Sequence, residues 1–69
     1  MNKYECKRTA QRSLLKEYGF APVLKSIILL EASSNGHCID YVLFEVNGFE
    51  YCYLKNSTYE GVTKKEKEN

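Results

Sequence analysis

The feature that most constrains this chain is a dipeptide, Asn47-Gly48, set between two runs rich in β-branched and aromatic residues. Both residues tolerate positive φ, and a two-residue type I′ hairpin turn needs that at both central positions. Residues 38–46 and 49–55 are therefore expected to pair as antiparallel strands. Counting outward from the turn sets Val46 opposite Phe49, Phe44 opposite Tyr51, and Val42 opposite Tyr53.

Upstream, the segment VLKSIILLEAS (23–33) is apolar enough to be a helix following Pro22 or a strand. Its β-branched centre and the turn signal Ser33-Ser34-Asn35-Gly36 favour a strand. Asn56-Ser57 closes the meander, and a charged tail from Gly61 is expected to fray in solvent. Ahead of the sheet, residues 2–19 read as a helix. Asn2 and Glu5 have capping-box spacing, with Thr9 as a rival start; Gly19 fits the left-handed C′ position, and Pro22 prevents continuation. Cys6, Ala10, Leu14, Tyr18, Leu15 and Tyr4 share one half of that helix, and Arg8, Arg12 and Lys16 share the other. The fold class is thus α+β, one N-terminal helix packed on a three-stranded antiparallel β-meander. A single domain spans 1–60 and a flexible charged tail 61–69.

At 69 residues the chain has room for one core. A domain this small buries only about 60% of its unfolded surface, and such scaffolds often add a disulfide, a metal or a partner. Three cysteines, Cys6, Cys38 and Cys52, make a poor disulfide framework because an odd count leaves one thiol unpaired. No signal-peptide apolar stretch is evident, and the longest apolar run, Ile27 to Leu30, is far too short to cross a bilayer. A reducing, cytoplasmic setting without membrane contact is the expectation. With 43% apolar and 13% aromatic residues, disorder is a poor description of the whole.

Strict alternation, with Asn35-Gly36 taken as a second tight turn, puts Ile27 and Leu29 with Val42, Phe44, Val46, Phe49, Tyr51 and Tyr53 on one sheet face. It puts Ile28, Leu30, Ala32, Ile39, Tyr41, Leu43, Cys52 and Leu54 on the other. Both faces are apolar, and one helix covers one of them. A sheet apolar on both sides calls for a second covering layer. A homodimer or another protein is the expected partner, and Tyr41, Leu43, Phe44, Phe49, Tyr51 and Tyr53 are the candidate interface residues.

Charge divides the chain. Residues 1–16 carry five basic side chains and one acidic; residues 17–62 carry two and six. The helix stripe Arg8, Arg12 and Lys16 is the candidate for phosphate contacts, and it supports an alternative reading as a small nucleic-acid-binding protein. Tyrosines on the sheet would suit base stacking, but Asp40, Glu45 and Glu50 would repel a phosphate chain.

Catalytic and metal signatures are weak. His37, Cys38 and Cys52, with Cys6, match no zinc-knuckle spacing, and His37-Cys38 has no evident orienting carboxylate. The paired Glu45 and Glu50 flank a solvated turn rather than a cleft. No phosphate-cradling or hydrolase motif occurs. The expectation is a non-enzymatic interaction module of inhibitor or adaptor type, without cofactor or metal. Its helix-and-meander outline is one shared by many small proteins of phages and mobile elements.

Overall fold

The computed structural model describes residues 2–65. Helix α1 (Lys3–Tyr18) lies across one face of a four-stranded antiparallel sheet formed by β1 (Ile28–Asn35), β2 (Cys38–Val46), β3 (Phe49–Lys55) and β4 (Glu60–Lys65), in the order β1-β2-β3-β4. The α+β class stands, and the sheet has one strand more than the alternation implies.

Both ends of α1 are set by local chemistry. The Asn2 side-chain oxygen accepts from the backbone N–H groups of Tyr4 (2.7 Å) and Glu5 (3.3 Å), two donors with no partner inside the helix. At the other end Gly19 takes φ +81° and its N–H donates to the Leu15 carbonyl at 3.0 Å, a left-handed closure that disfavours a side chain. The ambiguous stretch after Pro22 divides. Leu24–Ser26 forms a 3₁₀ turn, and the strand begins only at Ile28. Gln11 Nε2 donates to the Pro22 carbonyl at 2.9 Å and ties this connection to the helix.

The central hairpin forms in the expected register, with Asn47 at φ +54° and Gly48 at +82°. The first hairpin turns one residue later than Asn35-Gly36. Asn35 pairs with Cys38, so Gly36 (φ +65°) and His37 are the loop, and positive φ at the first central position is the type II′ pattern. Two register shifts follow, one at Leu30 in β1 and one at Asp40 in β2. A β-bulge adds one residue to one strand and so reverses which side chains face inward beyond it. Ala32 and Ile39, expected on the far face, instead pack against the core, while Glu31 and Ser33 pair with Leu43 and Tyr41.

The tail also departs from expectation. Asn56 does not end the sheet. Its side-chain oxygen accepts from the N–H groups of Thr58 and Tyr59, both at 2.9 Å, and its own N–H donates to the Tyr59 carbonyl, which turns the chain back as β4. Residues 61–65 are therefore sheet rather than frayed tail, and the rest of the expected tail lies outside the described residues. Gly61 in β4 leaves room for Tyr59, since a Cβ there would come within 2.6 Å of the Tyr59 hydroxyl.

The core lies between α1 and the sheet. Cys6, Ala10 and Leu14, one turn apart, meet Ile27, Val42, Phe44, Val46, Tyr51, Tyr53 and Val62. Phe44 stacks on Tyr51 with centroids 5.5 Å apart, and Tyr18 meets Tyr51 edge-on at 5.8 Å.

Candidate functional site

Of the six residues expected to form an apolar interface, three belong to the core. Phe44, Tyr51 and Tyr53 are almost wholly buried beneath α1 and cannot meet a partner. The correction has a simple cause: these side chains share a face with Val42 and Val46, and that is the face the helix covers. Phe49 lies at the hairpin end of the same face, about half exposed, with the Lys64 ammonium 3.9 Å from its ring centroid. Only Tyr41 and Leu43 lie on the open face.

That open face can be built up rank by rank from the strand register. Across the hairpin end run Ile28, Glu45, Glu50 and Lys65; next come Glu31, Leu43, Cys52 and Thr63; then Ser33, Tyr41, Leu54 and Gly61. Leu43, Cys52 and Tyr41 are half-buried against one another, while Leu54 and Tyr59 stay nearly half exposed. Partial burial, with Glu31 nearby, raises the Tyr41 hydroxyl above its ordinary pKa. Burial also raises the Cys52 thiol, opposed by the Lys65 charge. At the margin the Ser33 hydroxyl donates to Asp40 Oδ1 at 2.7 Å. The result is a small apolar centre edged by carboxylates. Among the described residues, no element packs across it.

The basic residues of the helix stripe are exposed, and they also border a concavity. Arg8, Arg12 and Lys16 form one wall of an open groove of about 710 Å³ between α1 and the sheet. His37 and Lys55 line it from the β1–β2 turn and the end of β3, and Cys38, Ile39 and Tyr53 contribute from the strands. Glu5 and Glu60 line it too. Arg8 is held by Tyr4: a guanidinium nitrogen donates to the Tyr4 hydroxyl at 3.0 Å, and the guanidinium lies 5.9 Å from the ring centroid. The Tyr53 hydroxyl donates to Glu60 Oε2 at 2.9 Å. Burial, followed by that bond and the Glu60 charge, pushes its pKa up to about 12, and Arg12 acts in the opposite sense.

Sequence reasoning found the three helix cations but not their groove partners. Lys55 and His37 enter it only because both hairpin ends meet the helix there, and nothing in the local sequence around either signals that meeting.

Among the described residues no group of three or more His, Cys, Asp or Glu side chains is placed to hold a metal ion. Cys6 is buried, Cys38 exposed and Cys52 half-buried, all three as free thiols. No described helix is long and apolar enough to cross a membrane. No family model, curated protein or solved structure matches the chain.

Proposed function

We propose that this chain is a non-enzymatic protein-interaction module, of inhibitor or adaptor type, that receives a partner on the open face of its sheet. The observation that carries the reading is the bare second face. Leu43, Tyr41, Cys52 and Leu54 form an apolar centre over which, among the described residues, no layer packs, and Glu31, Glu45 and Glu50 frame it.

Size and charge indicate what kind of partner fits. Four strands about 4.8 Å apart, with about six residues each at a 3.3 Å rise, present roughly 400 Å² in projection. A standard interface takes about 800 Å² from each side, so this face alone suits a weak or transient contact better than an obligate dimer. Among the described residues of this face, three carboxylates against the Lys65 ammonium favour a partner that brings Lys or Arg around an apolar patch, because a second copy would set like charge against like.

The test pairs oligomeric state with partner capture. The wild-type chain and Leu43→Asp are compared by light scattering over a range of concentrations. Each is also immobilised and exposed to a lysate of the source cells. The reading expects a monomer that retains another protein, with retention lost in Leu43→Asp; a concentration-dependent dimer dissolved by the same substitution would assign the face to a second copy instead. A monomer at every concentration, with retention indifferent to Leu43→Asp, overturns it.

A further inference from the structure

We infer that the basic groove beside α1 is a second docking site, built for an extended acidic segment of a partner protein. It stands apart from the open face, on the opposite side of the sheet, and does not depend on it.

The spacing of the cations matches an extended chain. Arg8, Arg12 and Lys16 sit four residues apart on one helix, so each advances about 6 Å along the axis. Side chains on one edge of an extended peptide repeat about every 6.6 Å. Acidic residues at alternate positions of such a peptide therefore meet successive helix cations almost in step. Lys55, at the end of β3, supplies positive charge from another element of the lining.

The groove also holds two carboxylates, Glu5 and Glu60. A DNA strand has no hydrogen-bond donor along its sugar-phosphate backbone and meets Glu5 and Glu60 as repulsion. A peptide carries an N–H at nearly every residue and can satisfy a carboxylate while its own acidic side chains engage the cations. Glu60 already accepts from Tyr53 at 2.9 Å, so this carboxylate is a positioned acceptor at the groove wall. Mixed lining of this kind selects a chain that is anionic in its side chains and donating in its backbone.

The groove already stands open. Arg8 is held by Tyr4, and Tyr53 by Glu60, so parts of both walls are positioned without a ligand. The cost of ordering those two side chains does not fall on binding.

The test is fluorescence anisotropy with a short labelled peptide carrying glutamate at every second position. A lysine peptide of the same pattern is the control, and oligothymidylate is a competing ligand. The glutamate peptide is expected to bind saturably, to weaken as salt rises, and to lose about tenfold in affinity with Arg12→Ala plus Lys16→Ala. Both residues are exposed, and circular dichroism checks that the double variant keeps its fold. Lys25→Ala, an exposed cation away from the groove, leaves the affinity unchanged. The inference is overturned if the glutamate peptide does not bind, if the double variant binds it as well as wild type does, or if oligothymidylate binds more tightly and depends on the same two residues. The last outcome would assign the groove to nucleic acid.

Discussion

Tyr53 concentrates the chemistry available at the scale of one residue. Its ring is core, its hydroxyl reaches the groove wall, and Glu60 holds its proton in place. With the pKa raised from 10.0 to about 12, the folded chain keeps this proton where the unfolded chain has lost it. The resulting stability is complete below the unfolded value and drains away as pH climbs towards the folded one. Tyr53→Phe should therefore cost about 1 kcal/mol at neutral pH and make the alkaline fall in melting temperature shallower than in wild type. Thermal melts of both proteins across the alkaline range check this. The same scale shows where alternation misleads. Ala32 and Ile39 were legible as apolar but not as inward-facing, because counting by twos assumes unbroken pairing and the shifts at Leu30 and Asp40 break it. A bulge is a backbone event with no required residue type, so these two left little trace in the sequence.

At the scale of the element, α1 and the central hairpin were readable because their signals are local. Asn2, Gly19 and Asn47-Gly48 each fix backbone geometry within a few residues. Strand β4 was not readable for the opposite reason. Its sequence, EGVTKK, offers a single buried side chain, and it is a strand because β3 supplies a ladder and Asn56 turns the chain towards it. Val62 is the peg that fastens it, paired with Tyr53 and 2% exposed. Val62→Asp buries an unpaired charge and should lower stability by about 3 kcal/mol or more. Urea unfolding reads this as a lower midpoint. A fraying tail would show no shift.

For the whole molecule, the number of fully buried side chains is small, and each matters in proportion. Leu14 is the largest contribution of α1 to the core, and it is completely buried. Leu14→Ala should cost about 2–5 kcal/mol against a total that for small domains is about 5–15 kcal/mol. In a chain this short that corresponds to a fall of about 10 °C or more in melting temperature, measured by circular dichroism. The molecule is also electrically two-sided. The groove side is rich in cations from α1 and Lys55, and the open side carries Glu31, Glu45 and Glu50. That division was visible in the sequence as a basic first quarter and an acidic middle. The concavity in which the cations gather was not, because it arises from how the helix crosses the sheet.

The irregular pairing of β1 bears on crowding. A flat outermost strand with free amide and carbonyl groups is a template onto which another molecule's backbone can zip. Here one border carries the kink at Leu30, and the other presents Lys64 and Lys65 in succession. Among the described residues, neither border offers neighbouring copies in concentrated solution a straight, uncharged hem to stitch onto, an arrangement that disfavours fibril growth.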